Sequence, residues 1–407
     1  MAKLTVRNAA PDYFWDIFSE NASFTAEAMG DGSSVTLTFS GAPGDGTQQL
    51  VIKGNALSIT SDGKLSGKVT GVTSLGTGGA VLVDVTGATL NAKNLDLHNR
   101  WDFRVKLFDG NDKFTGSSHS DDIYSGAGND RVAGGGGDDF ITDFLGNDTY
   151  IGGSGYDCVN YSEGFYNKDY RGKGVTVDLG KGFAIDPWGF RDKLVSIEEV
   201  RGTNFADKIT GSNKVIEEYF EGLKGADVID GKGGEDMVSY RSDARYGGKR
   251  GVTVDLEKGF AVDGFGTRDT LLNIEDARGT AKKDLLMGSA GTNFLRGDGG
   301  NDILKGMGGG DYMEGGAGND KLFGTNGFKD HFVFRDRDGS NLGKDTLKSF
   351  KDGEDIIRFR DFDDVKSMDD LTLKQSGKNV VIHFSHGDVV VENISVQKLS
   401  VADFDFT

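Results

Sequence analysis

The sequence predicts an all-β solenoid made of short, stacked strands. Two observations support this prediction. Glycine accounts for 64 of the 407 residues, about 16% against a usual share of about 7%, and glycine and aspartate recur with a period of nine residues. With three prolines and 36% hydrophobic residues, the chain is neither collagen-like nor a disordered linker. Glycine at a regular period instead indicates repeated tight turns.

The nine-residue period is visible in three aligned columns. In the first block, two residues after each aspartate stands a large apolar residue, and two residues before it stands a glycine or, once, His119. A second short block contains Asp227 and Asp236, and a third contains Asn293 in one aspartate position. The column aspartates are Asp112, Asp121, Asp130, Asp139, Asp148, Asp157, Asp227, Asp236, Asp284, Asp302, Asp311 and Asp320.

Each nine-residue unit combines a turn with a very short strand. Its first six residues form a glycine-rich turn, and its last three form a strand that buries only the central apolar side chain. One such strand cannot fold alone, but stacked copies bury a continuous ladder. Two units form one coil of about 18 residues, so alternate aspartates line opposite edges: Asp112, Asp130 and Asp148 on one, Asp121, Asp139 and Asp157 on the other.

The aspartate columns predict a series of metal sites. Neighbouring strands are about 5 Å apart, so each edge would carry a self-repelling row of carboxylates. A hard divalent cation with six to eight oxygen ligands relieves this repulsion. Calcium fits better than magnesium, because carbonyl-rich turns adapt to its looser geometry.

The units resemble the repeats-in-toxin (RTX) nonapeptide, G-G-x-G-x-D-x-U-x. "GGSGYDCVN", "GGGGDDFIT" and "GGAGNDKLF" match this pattern closely, whereas His119 and Asn293 depart from it. The resemblance implies a right-handed parallel β-roll, with calcium ions bound between successive turns by the column aspartates and by turn glycines. The turn glycines are Gly126, Gly128, Gly135, Gly137, Gly153, Gly155, Gly300, Gly309, Gly316 and Gly318.

An internal duplication separates the repeat blocks. Residues 174–211, "GVTVDLGKGFAIDPWGFRDKLVSIEEVRGTNFADKITG", align without gaps to residues 251–288 and are identical at more than half of the positions. Arg191-Asp192 recurs as Arg268-Asp269, and Glu198 recurs as Glu275. We interpret these segments as solenoid coils of variant length rather than as a pair of active sites.

The two ends of the chain differ from the repeats. Residues 1–105 contain a predicted short amphipathic helix, "APDYFWDIF", and strand patterns such as "SVTLTF", "QLVIKG", "LSIT", "AVLVDV" and "NLDL". They predict a β-rich cap or an irregular β-solenoid. Residues 329–407 contain longer strand patterns, "DHFVF", "NVVIHF" and "DVVVENI" among them. They resemble the C-terminal cap of RTX exoproteins, in which Asp345, Asp352 and Asp355 would hold a further ion.

These patterns divide the chain into five segments. They are an N-terminal β-rich cap (1–105), a first RTX block (106–162), duplicated inserts with a short second block (163–283), a third block (284–328) and a C-terminal cap with a secretion signal (329–407).

Charge and export signals restrict the possible partners. The net charge of −18 argues against nucleic acid or an anionic membrane as a partner. The N-terminal sequence lacks the pattern of a secretory signal, and no apolar run is long enough to span a bilayer. The final "VADFDFT" resembles the uncleaved signal read by type I secretion systems. Together with the single cysteine, Cys158, these features predict a bacterial protein exported by that machinery to the medium or cell surface.

Known catalytic motifs are missing from the sequence. Neither H-E-x-x-H nor G-x-S-x-G occurs, which disfavours a zinc protease or a lipase. The sequence therefore favours a secreted calcium-binding protein without catalytic residues, which acts as a scaffold for a surface or matrix polysaccharide or protein. The alternative is an exported carbohydrate-active enzyme of the epimerase or lyase type, with the repeats as its folding and secretion module.

Overall fold

A computed structural model describes ten stretches of the chain, and they divide into two compact units, Met1–Arg201 and Gly202–Thr407. The described stretches are residues 3–6, 23–28, 34–40, 48–59, 64–75, 81–96, 110–162, 172–325, 327–336 and 341–407. In these stretches no helix is long and apolar enough to cross a membrane.

The N-terminal part of the first unit contains long strands. Strands β2 to β6 pair in sequence order as an antiparallel sheet, and β1 pairs antiparallel with β6. The predicted pairs "QLVIKG"/"LSIT" and "AVLVDV"/"NLDL" each merge into one strand, and the predicted helix lies outside the described residues. The strands are β1 (Lys3–Val6), β2 (Ser23–Ala28), β3 (Ser34–Ser40), β4 (Gln48–Ile59), β5 (Lys64–Leu75) and β6 (Val81–Asp96).

The repeats of the first unit form two parallel ladders. One ladder pairs β7, β9, β11 and β15, and the other pairs β8, β10, β12 and β16. The strands of this region are β7 (Lys113–Thr115), β8 (Asp122–Tyr124), β9 (Arg131–Gly136), β10 (Phe140–Thr142), β11 (Thr149–Ser154), β12 (Cys158–Asn160), β13 (Thr176–Asp178), β14 (Phe183–Ile185), β15 (Arg191–Val195) and β16 (Glu199–Arg201).

Each ladder stacks one apolar side chain per strand. Phe114, Val132 and Tyr150 occupy successive register positions of one ladder and are fully buried. Ile123, Ile141 and Val159 form the equivalent column in the other. Because a strand of three residues buries only its central side chain, the interior is continuous only through stacking. The all-β class and the parallel β-roll predicted from the repeats are confirmed.

The duplicated segments insert an antiparallel hairpin into each unit. In the first unit, β13, β14 and β15 pair in antiparallel order, and β15 then pairs parallel with β11. In the second unit, β21, β22 and β23 repeat the arrangement, and β23 pairs parallel with β19.

The second unit has the same architecture. One ladder runs through β18, β20, β24, β26, β29, β32, β34 and β38. The strands up to the end of the repeats are β17 (Lys208–Thr210), β18 (Glu217–Glu221), β19 (Val228–Asp230), β20 (Glu235–Ser239), β21 (Thr253–Asp255), β22 (Phe260–Val262), β23 (Arg268–Leu272), β24 (Asp276–Arg278), β25 (Leu285–Met287), β26 (Phe294–Arg296), β27 (Gly299–Gly300), β28 (Ile303–Lys305), β29 (Tyr312–Glu314), β30 (Ala317–Gly318) and β31 (Lys321–Phe323).

The C-terminal strands extend these ladders with longer elements. β33 pairs parallel with β31 and β37, and β35, β36 and β37 form an antiparallel sheet. Phe359 packs against Phe334, Phe384 and Phe406, which forms an aromatic core in this region. The elements are β32 (His331–Arg335), β33 (Gly343–Lys348), β34 (Ile356–Arg360), β35 (Thr372–Ser376), β36 (Asn379–Phe384), β37 (Gly387–Val391), β38 (Phe404–Phe406) and the 3-10 helices Met368–Asp370 and Val401–Asp403.

Candidate metal centre

The column aspartates of the first unit lie in two continuous rows. In each row, one carboxylate oxygen accepts a hydrogen bond from the backbone N–H of the aspartate one coil earlier. Asp112 N donates to Asp130 Oδ1 at 2.6 Å, and Asp130 N donates to Asp148 Oδ1 at 2.6 Å. On the other edge, Asp121 N and Asp139 N each donate over 2.9 Å, to Asp139 Oδ1 and Asp157 Oδ1. The row is therefore a backbone-anchored stack of carboxylates.

The second unit contains rows of the same kind. The backbone-to-carboxylate bonds measure between 2.7 and 3.1 Å. They link Asp207 to Asp227 and Asp269; Asp284 to Asp302, Asp320 and Asp345; Asp236 to Glu275; and Asn293 to Asp311, Asp330 and Asp355.

Eight of the twelve column aspartates keep a carboxylate oxygen that is buried and has no hydrogen-bond partner. A buried carboxylate oxygen without a donor is costly, because its hydration is lost and not replaced. A cation that accepts these oxygens as ligands removes this cost, so the residues present fit a row of calcium ions. These open oxygens are both carboxylate oxygens of Asp236 and the Oδ2 atoms of Asp130, Asp139, Asp157, Asp227, Asp302, Asp311 and Asp320.

Three other predicted ligands have a backbone donor on this oxygen. Backbone N–H groups donate to Asp121 Oδ2, Asp284 Oδ2 and Asp355 Oδ2. Asp345 lies in a row and is buried, whereas Asp352 is exposed and outside the rows.

Burial and mutual repulsion act together on the row. Burial, with the charges of Asp148 and Asp112 added, raises the pKa of Asp130 to about 8. Burial and the neighbouring acids likewise raise the pKa of Asp302 to about 9, and burial and Asp320 raise the pKa of Asp345 to about 9. Without a cation, burial and repulsion favour the protonated form of these carboxyl groups, and a bound cation would displace the protons.

The metal-free protein is therefore expected to become more stable as the pH falls. A carboxyl group whose pKa rises from about 4 in the unfolded chain to about 8 in the folded one, as for Asp130, stabilises the fold fully below pH about 4. That contribution is lost as the pH rises through the folded pKa. We expect the protein in chelator to gain β-structure between pH 9 and pH 6, measured by far-UV circular dichroism. A signal that stays constant or declines over this range would contradict the pKa shifts of the rows.

The turn glycines adopt conformations that require glycine. All ten predicted turn glycines have positive φ; Gly128, for example, has φ 131°. A side chain at Gly128 would collide with the backbone carbonyl of Gly110 one coil earlier, so adjacent turns pack backbone against backbone.

Several row members lie outside the nine-residue period of the sequence. Asp192 Oδ1 accepts from Asp148 N at 3.0 Å, and Glu198 Oε2 accepts from Asp157 N at 3.2 Å. Asp269 and Glu275 do the same in the second unit. The recurring acids of the duplication thus continue the rows where the nine-residue spacing is interrupted.

The two irregular repeat positions differ in their surroundings. Asn293 keeps its place in a row, but its side-chain amide donates to the carbonyl oxygen of Glu275 at 2.6 Å, which leaves no open oxygen there. His119 is exposed at its turn. Among the other polar candidates, His383 Nδ1 lies 2.6 Å from Asp388 Oδ1, and Cys158 is buried in β12.

The fold and the buried carboxylate rows define a class of protein: a parallel β-roll whose repeats carry acidic, cation-binding turns. Within this class, the model of the RTX calcium-binding nonapeptide repeat matches residues 109–132, 124–157, 218–244, 278–313 and 305–327. The chain therefore carries RTX repeats of the calcium-binding type, as the sequence predicted.

Comparison with whole proteins adds little to this assignment. No curated protein matches the chain. Among solved structures, the chain is similar to the extracellular lipase LipA from Serratia marcescens, with 21% identity and a TM-score of 0.29. The alignment covers 73% of this chain and 40% of the lipase, so the chain spans less than half the length of that protein.

Proposed function

We propose that this protein folds on binding several calcium ions outside the cell and then serves as a scaffold for a surface or matrix partner. The observation that carries the proposal is the set of buried, unpartnered Oδ2 atoms along the rows. Equilibrium dialysis against millimolar calcium, followed by an ion count per chain, tests the calcium part directly. A count of zero would exclude it.

Calcium-dependent folding agrees with the difference between the two compartments. Extracellular calcium sites have dissociation constants of about 0.1–1 mM, so they are empty at cytosolic calcium and filled outside. The chain would remain loosely folded during export and fold after it.

The proposed partner is one that an acidic surface loaded with calcium can bind. The net charge of −18 disfavours direct binding of polyanions, but bound calcium ions reduce this charge and bridge carboxylates. We propose an acidic polysaccharide or an acidic surface protein as the partner. Cosedimentation with alginate in calcium, and its loss in chelator, tests this; equal sedimentation in both conditions would exclude calcium-mediated recognition.

The C-terminal segment is proposed to direct export by type I secretion machinery. Deleting residues 388–407 should retain the protein in a bacterial host that carries such an exporter. Because this deletion also removes β38 and most of β37 from their ladders, its effect has a second possible cause in folding. A passenger protein fused to residues 329–407 separates the two causes: export of the fusion supports a C-terminal address, and retention of the fusion contradicts it.

A further inference from the structure

The first residue of the repeat unit is not glycine before three column aspartates of the first unit, and two of these three positions lie among the described residues. Five residues before most row aspartates stands a glycine, such as Gly134 before Asp139. A side chain at Gly134 would collide with the carboxylate of Asp139. Ser125 and Asp143 occupy this position before Asp130 and Asp148, and both are buried. Asp143 therefore places a carboxylate where an ordinary turn accommodates only hydrogen.

Asp143 lies beside two members of the turn row. Asp143, Asp148 and Asp192 each offer a carboxylate oxygen, and these oxygens lie within 4.8 Å of one another. The three side chains are 1%, 2% and 1% exposed. Three carboxylates at this separation, out of contact with water, repel each other strongly unless protons or a cation compensate.

The hydrogen bonds of this cluster supply too few donors. Tyr150 Oη lies 2.6 Å from Asp143 Oδ1 and 3.0 Å from Asp148 Oδ2, but a phenol has one hydrogen to donate. Asp143 Oδ2 is buried and has no partner at all. At least one carboxylate oxygen in the cluster therefore has no hydrogen-bond donor.

The inserted hairpin carries another buried carboxylate, and its charge acts on Asp143. Asp186 Oδ1 accepts backbone N–H groups from Trp188, Gly189 and Phe190 at 3.0, 2.7 and 2.7 Å. Its Oδ2 is buried without a partner, and the side chain is 3% exposed. The charges that act most strongly on Asp143 are those of Asp192, Asp186 and Asp148.

Aromatic rings close to Asp143 and Asp186 in the sequence pack against one another. The ring centroids of Phe144 and Trp188 are 5.5 Å apart, and those of Phe144 and Tyr124 are 5.7 Å apart. Trp188 comes from the inserted hairpin, and Phe144 follows Asp143 in the chain. The hairpin therefore supplies both a buried carboxylate and an aromatic ring to this region.

We propose that Asp143, Asp148, Asp186 and Asp192 bind one further calcium ion inside the first unit, in addition to the ions of the turn rows. Asp143 Oδ2 and Asp186 Oδ2 are its unpartnered ligands, and Asp148 and Asp192 link it to the row. The inference rests on the proposed calcium function, because it assumes that the turns are filled by the same ion.

The described residues of the second unit have no acid at the position of Asp143, which supplies a control. Gly222 stands five residues before Asp227, where Asp143 stands before Asp148. Asp263 is the duplicate of Asp186, but Thr267 Oγ1 donates to its Oδ2 and Thr267 N donates to its Oδ1 at 2.6 Å. The carboxylate of Asp263 is therefore satisfied by the protein itself.

The test is a calcium count per chain by native mass spectrometry at saturating calcium. Asp143→Gly restores the residue of an ordinary repeat and should bind one ion fewer than the wild type. Ser125→Gly, the same change at the other described exception, removes a hydroxyl that lies 3.1 Å from Tyr150 Oη but no carboxylate, so it should leave the count unaltered. An Asp143→Gly variant that binds the wild-type number of ions would overturn the proposal.

A second pair of variants covers the case in which Asp143→Gly fails to fold. Asp186→Asn should lose one ion, whereas Asp263→Asn, its counterpart in the second unit, should lose none. Equal counts in both would also overturn the proposal. A wild-type protein that binds no calcium would instead refute the proposed function, so the two failures are distinguishable.

Discussion

Removing calcium is expected to unfold most of the repeat region, residues 110–162 and 172–325. Each three-residue strand buries one large apolar side chain, which contributes about 1.5–3 kcal/mol. Ordering the nine residues of its unit costs considerably more, since each residue loses about 1–2 kcal/mol of backbone entropy. The carboxylate rows add repulsion to this cost. Calcium binding must therefore supply a large part of the folding free energy.

Far-UV circular dichroism during a calcium titration measures this effect. The protein in chelator should show a mainly disordered spectrum at pH 8, and β-structure should appear cooperatively at about 0.1–1 mM free calcium. Magnesium at the same concentration is the control, because its octahedral geometry suits carbonyl-rich turns poorly. An identical β-spectrum with and without chelator would show that the rows are not needed for folding.

The sequence predicts the repeat geometry well because one short pattern determines both local and long-range structure. The positive φ at position 128 requires a glycine, and the apolar side chain of Val132 requires a ladder partner in the next coil. Both requirements repeat every nine residues, so each unit predicts its neighbour. The family match covers the same blocks.

The row members inside the duplication could not be located from the period alone. Asp192 joins the row 44 residues after Asp148, because a hairpin and other residues intervene between two stacked coils. No fixed spacing survives such an insertion. The pairing of β15 with β11 restores the register in three dimensions, and only that pairing places Asp192 next to Asp148.

The cluster around Asp143 was missed for a different reason. Its signal was present, because Asp143 breaks the first glycine column and Tyr150 puts a hydroxyl in an apolar column. Taken alone, either substitution indicates only a repeat that departs from the consensus. Their significance depends on Asp192 and on the charge of Asp186, both of which come from the duplicated segment, and a sequence period does not show that they act on Asp143.

Replacing Asp130 with alanine is expected to weaken calcium-dependent folding. Asp130 lies mid-row: its Oδ1 accepts from Asp112 N, its own N–H donates to Asp148, and its Oδ2 is buried and open. Asp130→Ala removes a negative charge from a repelling row, which would stabilise the fold if no cation were bound. If Asp130 is a ligand, the same change removes an oxygen that faces ions on both sides.

We therefore expect Asp130→Ala to raise the calcium midpoint about tenfold, equivalent to about 1.4 kcal/mol, and to lower the cooperativity, since each coil docks on the previous one. Asp122→Ala is the matched control: Asp122 carries the same charge in the neighbouring repeat but is exposed and outside the rows. Its midpoint should stay at the wild-type value. The two explanations predict opposite shifts of the calcium midpoint. A lower midpoint in Asp130→Ala would mean that the row carboxylates only repel one another. Indistinguishable curves for the two variants would mean that the nine-residue column does not bind metal.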